Sequence, residues 1–413
     1  MSKKTRQNTT AKTHFLDWLS ARLPIDRFKR YFTHYYLPSN LNFWYVFGSL
    51  SLFFVALQIL TGIWLTMFYI PTSQEAFNSI ETIMREVSYG WLLRYLHTTG
   101  ASFFFIVIYC HIFRSLLYGS YKKPRELVWL IGVVLYIIFL VEAFLGYVLP
   151  WGQMSYWASQ IATSLLASIP IIGHDLMLWV RGNLMASGET LHRFFALHVI
   201  GIPLLLLFFI WLHLVALRKV GSNNPEGQQP AYLASDTNTA LPCMIPFHPY
   251  YTVKDLFALV IFLLIFFAVV FFLPEMGGYF LDTNNFIPAD PLQTPGNMKP
   301  LWYLAPFYAM LCLSPNNLLG ILAMFSAIAI LFALPWLDRS AMNSLRYRRW
   351  YSRLALGIFI LNFFLLGYCS MTVLTPTKIM FMRILAINYF LFFCLMPLYT
   401  RYDTCYEKKQ LTS

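Results

Sequence analysis

The stretch W-L-L-R-Y-L-H-T-T-G-A-S-F-F-F-I-V-I-Y-C-H-I-F-R-S-L-L-Y, residues 91–118, carries His97 and His111 inside a run long and apolar enough to cross a bilayer as one helix. The two histidines are fourteen residues apart. That spacing is about four helical turns, or about 21 Å of rise, so both imidazoles leave nearly the same face. Ionisable groups at membrane depth are costly and indicate function. The stretch therefore predicts two sites stacked along one membrane helix.

A second pair of histidines, His198 and His213, lies fifteen residues apart in the apolar run 191–217. A single membrane histidine is equally well explained by a hydrogen bond to a neighbouring carbonyl. Two helices that each carry two histidines at matching depths can instead bind two planar groups from both sides, as haem iron is bound. The fifteen-residue spacing turns the helix to about 60° from its start, against about −40° for fourteen, and Pro203 can bend the helix in between.

Four glycines repeat the histidine spacing on two other apolar runs. Gly48 and Gly62 lie fourteen residues apart, as do Gly132 and Gly146. Close helix packing often explains a single glycine in a membrane helix. Four glycines at this period indicate room for flat macrocycles against the backbone. We therefore predict that the first four runs form one four-helix bundle around two haems.

The composition is that of a polytopic membrane protein. Of the 413 residues, 58% are hydrophobic and 12% are charged, and the mean hydropathy is +0.57. The net charge of +12 does not predict a nucleic-acid partner, because the basic residues cluster in alternate loops instead of forming one face. The six cysteines are far apart and form no C-x-x-C motif. This spacing excludes covalent haem attachment and argues against an iron–sulfur cluster within the chain.

The hydropathy pattern predicts an all-α polytopic membrane protein with eight transmembrane helices, and the first four form the dihaem bundle. The runs are 44–70, 91–118, 128–149, 191–217, 256–273, 317–336, 354–371 and 379–398. Basic residues concentrate in the N-terminal arm and in the loops after the second and sixth runs, so the positive-inside rule places both termini in the cytoplasm. His97 and His198 then share the outer level of the membrane, and His111 and His213 share the inner level.

The chain divides into five regions by this pattern: a basic cytoplasmic arm 1–40, the dihaem bundle with outer surface helices 41–220, an inner loop 221–255, a C-terminal four-helix region 256–400 and a cytoplasmic tail 401–413. Residues 151–170 predict an amphipathic helix at the outer surface. Residues 274–315 are too long for a turn and predict a folded functional loop. We expect these two outer segments to close a pocket beside the outer haem.

Taken together, the chain from about residue 40 onward resembles cytochrome b of the ubiquinol:cytochrome c oxidoreductase, complex III. Besides the histidines and glycines, three motifs carry the resemblance: G-Y-V-L-P-W-G-Q-M-S at 146–155, G-S-N-N-P at 221–225 and I-P-F-H-P-Y-Y-T-V-K-D at 245–255. The resemblance implies two non-covalent b-type haems, ubiquinol and ubiquinone as substrates, and a homodimeric complex with a Rieske iron–sulfur protein and a membrane-anchored c-type cytochrome. The length, the basic arm and the absence of a fused cytochrome favour a bacterial inner membrane.

The resemblance also implies roles for individual residues. His97 and His198 would ligate a low-potential outer haem, and His111 and His213 a high-potential inner haem. One electron of the quinol would pass to the Rieske centre, while the other would cross the membrane through both haems. Arg94 and Arg114 would pair with haem propionates, for which lipid headgroups are the competing partner. Further positions are Trp44 near the inner haem, Tyr147 and Tyr303 at the outer quinol site, and Lys254, Asp255 and Arg218 at the inner quinone site.

The chain departs from the family at the residues that move protons. The usual P-E-W-Y motif is P-L-W-Y at 300–303, so a glutamate assigned to quinol deprotonation is missing. Glu142 is the favoured substitute, because an acid within a membrane run is costly unless it is used; a plain hydrogen bond to a neighbouring helix is the competing explanation. Glu275 in the outer loop is the alternative. Arg218 stands where many relatives carry a quinone-binding histidine, and it stays protonated, so we expect proton uptake to depend on Asp255.

Two other classes of protein share some of these features. A dihaem anchor subunit of a membrane dehydrogenase needs only four or five spans and no outer quinol loop. A secondary transporter would show broken helices in repeated halves. Eight runs, the outer P-W-G-Q-M-S segment and histidines at fixed depths favour the cytochrome b interpretation.

Overall fold

The structure is a computed structural model that describes residues 18–23, 35–227, 244–296 and 298–411, with side chains described up to residue 403. Most of the predicted arm 1–40, part of the inner loop 221–255 and part of the tail 401–413 lie outside these residues. The α-helices are α1 Phe47–Thr66, α2 Ala76–Arg85, α3 Gly90–Tyr118, α4 Glu126–Val148, α5 Gln153–Leu166, α6 Gly173–Arg181, α7 Gly188–Ala196, α8 Ile202–Val220, α9 Thr252–Phe272, α10 Ala305–Leu311, α11 Asn317–Leu337, α12 Trp350–Ser370 and α13 Pro376–Leu411.

Within the described ranges, eight helical segments are long and apolar enough to cross a membrane. We number them as spans one to eight: Phe43–Thr66, Gly90–Tyr118, Glu126–Val148, Gly188–Val220, Phe247–Phe272, Asn317–Leu337, Trp350–Ser370 and Pro376–Asp403. All eight predicted runs are therefore confirmed as helices. Spans five and eight extend beyond the apolar runs, because a helix continues through polar residues as long as its backbone hydrogen bonds can form.

The first four spans pack as a bundle. Spans one and two contact each other along their lengths, as do spans three and four, and span one also touches span four at its π-helical segment, Leu197–Gly201. Span five packs on span two and span six on span three, while α10, span seven and span eight pack together in the second half. Buried aromatic side chains join the bundle to the second half of the chain: Phe54 packs on Phe266 of span five, and Phe105 stacks on Tyr303.

A widened turn interrupts span four at Leu197–Gly201, which is π-helical, with the Ile202 N–H donating to the Leu197 carbonyl. A π turn accommodates one more residue than an α turn. It therefore absorbs the extra residue between His198 and His213, so that both histidines face the same way as the pair on span two. Instead of a bend at Pro203, the structure shows this widened turn directly before it.

The two predicted outer segments meet. Helix α5 lies within residues 151–170, as expected, and its first residue donates from the Gln153 N–H to the Ile287 carbonyl at 2.9 Å. The Ser155 N–H and hydroxyl both donate to Asn285 Oδ1 at 2.8 Å. The outer loop also contains α10 and two 3-10 turns, Met276–Gly278 and Thr283–Phe286. The loop and α5 therefore form one outer layer over spans two and three.

The inner side is held by contacts between distant loops. Strands β1 (Tyr36–Pro38) and β2 (Met244–Pro246) pair antiparallel, which joins the segment before span one to the segment before span five. Buried Asp338 accepts hydrogen bonds from Tyr121 at 2.6 Å and Arg348 at 2.7 Å and pairs with Lys122 at 3.4 Å. Burial opposes the charge of Asp338, but Arg348 and Lys122 outweigh burial and hold its pKa below the usual 3.8.

Candidate functional site

Histidines from spans two and four face each other inside the bundle. We call His97 and His198 the outer pair, and His111 and His213 the inner pair, following the predicted orientation. The ring centroids of the outer pair are 6.3 Å apart, with the ring planes at 88°. A metal held at about 2 Å by a nitrogen of each ring, with each ring centre roughly 1 Å behind its nitrogen, separates the centres by about 6 Å. The outer pair thus has the spacing of two axial ligands.

A hydrogen bond orients the His97 ring. Nδ1 lies 2.9 Å from Thr61 Oγ1, and the Thr61 hydroxyl donates its own proton to the Leu57 carbonyl at 2.7 Å. Thr61 must therefore accept from His97, which places the imidazole proton on Nδ1. The tautomer leaves the Nε2 lone pair for a metal, as in haem proteins whose ligating histidine donates its other N–H.

Glu142 orients the His198 ring. Nδ1 of His198 lies 3.1 Å from the Glu142 backbone carbonyl and 3.1 Å from its side-chain Oε1. Both groups accept, so Nδ1 carries the proton and Nε2 is again the atom left for a metal. The second carboxyl oxygen, Oε2, is buried and, among the described residues, has no hydrogen-bond partner. The structure thus places Glu142 against a ligand side chain.

The inner pair has different surroundings. Nδ1 of His111 is buried and has no hydrogen-bond partner in the part of the chain that the structure describes. Nδ1 of His213 points towards the backbone of Val128, without a hydrogen bond of normal geometry. Both rings line a cavity of about 600 Å³ between the first five spans. This cavity has space for a large planar group beside the histidines.

Each of the four predicted glycines faces one of the four histidines. A Cβ built at the glycine would approach Cε1 of the imidazole to 3.6 Å for Gly48 and His111, 3.2 Å for Gly62 and His97, 3.3 Å for Gly132 and His213, and 2.5 Å for Gly146 and His198. The last distance is too short for any side chain without movement of the ring. The glycines therefore leave space for the histidine rings, on the side of each helix where the predicted haems would bind.

Of the two predicted propionate partners, Arg94 is buried and Arg114 is half-buried. Arg94 is 3% exposed and lies 5.8 Å from the ring centre of Phe286 in the outer loop. Arg114 donates from Nη1 to Ser120 Oγ at 3.1 Å and lies 4.8 Å from the Tyr45 ring centre. Its Nε is buried and has no hydrogen-bond partner among the described residues. A buried guanidinium with a donor left over suits an anionic group of a bound cofactor.

The predicted quinol residues lie under the outer loop. Tyr303 is buried and stacks on Phe105 at 3.9 Å and 8°. Burial, with Tyr147 and Tyr109 nearby, raises the pKa of the Tyr303 phenol above its usual 10.0, so the phenol keeps its proton. Glu275 lies elsewhere in the loop, close enough to Arg94 for their charges to interact. The two tyrosines, and likewise Glu275 and Arg94, are thus within range of each other's electrostatic influence.

The predicted quinone residues gather at the inner cavity. Ser49 donates to Asp255 Oδ2 at 2.5 Å. The Lys254 ammonium lies 4.9 Å from the ring centre of Tyr251, and the Arg218 guanidinium lies 4.9 Å from that of Tyr35; all of these side chains line the cavity.

Trp44, which is predicted to lie near the inner haem, differs in position from the residues that line the inner cavity. Trp44 is 40% exposed and packs on Phe47 at 5.7 Å. It is not among the described residues that line the inner cavity. That Trp44 lies near the inner haem stays a prediction.

Sequence reasoning missed Thr61 as a partner of the outer pair. The available signal was its position directly before Gly62 in the locally apolar stretch I-L-T-G-I-W-L at 59–65. Within the described ranges, no group of three or more His, Cys, Asp or Glu side chains could hold a bare metal ion. Paired histidines alone suit a metal that brings its own in-plane ligands, as haem iron does. The residues present therefore fit two haems.

Eight spans and two histidine pairs stacked within the first four define a multi-pass membrane protein of the bis-histidine class. Residues 32–221 match the family described as cytochrome b/b6/petB, and residues 288–390 match cytochrome b(C-terminal)/b6/petD. The chain belongs to the cytochrome b family.

Individual relatives cover almost the whole chain. Cytochrome b of Allochromatium vinosum is 49% identical over 95% of this chain and 96% of its own length. Cytochrome b of Rickettsia prowazekii is 44% identical over 94% of both chains. Among solved structures, a chain of a hyperthermophilic respiratory complex III matches with a TM-score of 0.86 and 35% identity, and covers 94% of this chain and 100% of its own. Fold and family therefore agree from end to end.

Proposed function

We propose that this protein is the dihaem subunit of a respiratory ubiquinol:cytochrome c oxidoreductase, which oxidises quinol at the outer side of the membrane and reduces quinone at the inner side. Family membership supports the proposal. The observation that carries it is the outer pair: two imidazoles 6.3 Å apart, each with Nδ1 hydrogen-bonded and Nε2 left for iron.

The residues that hold the cofactors follow from this geometry. His97 and His198 would hold the outer haem, and His111 and His213 would hold the inner haem. When bound, the two b-type haems supply one-electron transfer between the two sides of the membrane. Buried Arg94 and half-buried Arg114, whose Nε is buried, would neutralise the propionates.

At the outer site, oxidation of one quinol releases two protons and two electrons. One electron passes to the Rieske iron–sulfur protein and the other crosses the membrane. Leu301 cannot accept a proton, and the Glu142 carboxyl is engaged with His198. We therefore assign proton removal to Glu275, at the outer end of the bundle beside Arg94. The prediction that Glu142 takes this proton remains open to the same test, substitution by glutamine.

Two tyrosines position the quinol. Tyr303 keeps its proton and can donate a hydrogen bond. Tyr147 is held by its interaction with Asn285, which also accepts from Ser155 of α5. The outer loop and α5 therefore support these phenols together.

At the inner site, quinone takes up two protons and two electrons. Asp255 delivers protons, held in place by Ser49. Lys254 and Arg218 line the same cavity and orient the quinone carbonyls, because both are hydrogen-bond donors only. Uptake inside and release outside add to the proton gradient.

We infer the partners of the subunit and the membrane that contains it from its family. We propose a Rieske iron–sulfur protein and a membrane-anchored c-type cytochrome as partners, in a homodimeric complex in a bacterial inner membrane. The basic N-terminal arm supports a cytoplasmic location for both termini. No nucleic-acid partner is proposed.

A reduced-minus-oxidised spectrum of the purified complex tests the proposal, together with quinol:cytochrome c turnover. We expect two b-type haems per chain and turnover that depends on the partner proteins. Haems without this turnover would point to an anchor subunit, and a colourless complex to a transporter.

A further inference from the structure

Glu142 and Val128 occupy equivalent positions in span three. Glu142 comes four residues before Gly146, which faces His198; Val128 comes four residues before Gly132, which faces His213. The backbone at each position points to Nδ1 of the neighbouring histidine. Only the side chains differ, and only Glu142 adds a second acceptor, Oε1 at 3.1 Å.

This carboxyl group is costly at its position. Both side chains of the contact are largely buried, at 17% exposed for Glu142 and 16% for His198. Oε2 has no hydrogen-bond partner among the described residues. Among the residues that the structure describes, no lysine or arginine forms an ion pair with Glu142, which contacts His198 instead. A half-satisfied buried carboxyl destabilises a fold unless a positive centre compensates it.

An iron ligated by His198 supplies such a centre. A ligand histidine is neutral and carries its proton on Nδ1, so the contact with Glu142 is a hydrogen bond to the ligand. A carboxyl acceptor draws that proton and increases electron donation from Nε2. Stronger donation favours the oxidised iron, and hydrogen bonds to ligands are a known lever on haem potential.

We propose that Glu142 is a positioning residue that orients His198 and lowers the reduction potential of the outer haem relative to the inner haem. This inference rests on the proposed function, because it requires a haem at the outer pair. It assigns to Glu142 a role through the ligand, with no direct contact to quinol.

The test is a potentiometric titration of both b-type haems in the purified complex, with Glu142→Gln compared with the native chain. Glutamine keeps the size and a carbonyl oxygen but removes the carboxylate. We expect the outer midpoint to rise by at least 59 mV, a tenfold change in the one-electron equilibrium, with the inner midpoint unchanged. Glu142→Asp, which keeps a carboxylate, should stay closer to the native outer midpoint. Val128→Ala is the matched control and should leave the outer midpoint unchanged.

The results for Glu142→Gln and Glu142→Asp decide whether Glu142 has this role. An unchanged outer midpoint in Glu142→Gln, or an equal shift of both haems, would overturn it. If Glu142→Gln lost the outer haem, Glu142→Asp would decide: retention of that haem supports the role, and its loss overturns it. A native complex without two b-type haems would instead contradict the proposed function itself, so the two failures are distinguishable.

Discussion

The outer and inner histidine pairs lie on the same two helices but have different neighbours. The outer rings are hydrogen-bonded by Thr61 and Glu142. The positions fourteen residues earlier on the same helices hold Phe47 and Val128, which offer no polar side chain. Equal spacing along the helices thus gives two similar pairs of histidines. The polar side chains of Thr61 and Glu142, in place of Phe47 and Val128, make the two sites chemically unequal.

The space around the histidine rings also differs between the outer and the inner pair. A Cβ at Gly146 would meet His198 at 2.5 Å, whereas one at Gly48 would stay 3.6 Å from His111. The inner pair lines a cavity of about 600 Å³ that also reaches Asp255 and Lys254. The outer pair therefore has less clearance at Gly146, and the inner pair shares its cavity with the predicted quinone residues.

Substitution of one histidine ligand should give the largest difference between the outer and the inner site. His97→Ala should abolish the outer haem, halve the b-type haem content and reduce turnover to background, because iron cannot keep two axial ligands there. Spectra of the purified complex measure the loss. His174→Ala, at an exposed position on α6, is the control and should keep both signals. Two intact b-type signals in His97→Ala would contradict the assignment.

Alanine substitutions at the four glycines should show how much room each histidine ring has at the outer and the inner site. Gly146→Ala forces the His198 ring to move, so we expect most chains to lose the outer haem while the inner haem remains. Gly48→Ala meets its histidine only at ordinary contact distance and should have the smallest effect of the four substitutions. Haem content per chain is the measurement. A greater loss in Gly48→Ala than in Gly146→Ala would show that the macrocycle, and not the ligand ring, needs the glycine.

Carboxylates at the two quinone sites come next in expected effect. Glu275→Gln should slow quinol oxidation by about 10²-fold, the low end for loss of a proton-transfer group, with both haem spectra unchanged. Asp255→Asn should leave quinol oxidation of a single turnover intact and slow reoxidation at the inner side. Stopped-flow reduction of the haems, with and without an inner-site block, distinguishes the two. Normal turnover in Glu275→Gln would return the role to Glu142 or to water.

The sequence predicts well what depends on local repetition. Eight apolar runs, the histidine pairs and the glycines facing them are all regular along single helices, so length and period are sufficient. The π turn in span four was not predicted, because a fifteen-residue spacing is compatible with either a rotated ligand or one inserted residue. The pairing of β1 with β2 joins segments about two hundred residues apart in the chain, which no local pattern reports.

Side-chain direction limited the prediction of the site. Glu142 lies on the same helix face as Gly146, and four residues place it over the ligand; its cost in the membrane drew attention to it, but only packing shows what it contacts. Trp44 also precedes a site glycine by four residues, yet it lies at the end of span one and is exposed. Equal sequence offsets therefore do not imply equal contacts at helix ends.

The smallest expected effect concerns Thr61. Thr61→Val keeps the shape of the side chain but removes the side-chain acceptor of the His97 Nδ1–H, while the backbone of Gln58 stays beside the ring. A neutral hydrogen bond contributes about 1 kcal/mol, so the outer midpoint should rise by about 40 mV for a one-electron couple, less than in Glu142→Gln because no charge is removed. Redox titration measures both, and Ser51→Ala, whose hydroxyl donates to the Phe47 carbonyl of its own helix, is the control. A shift of the inner haem in Thr61→Val would mean that the two pairs are coupled, and the difference between them could not then be attributed to their own neighbours.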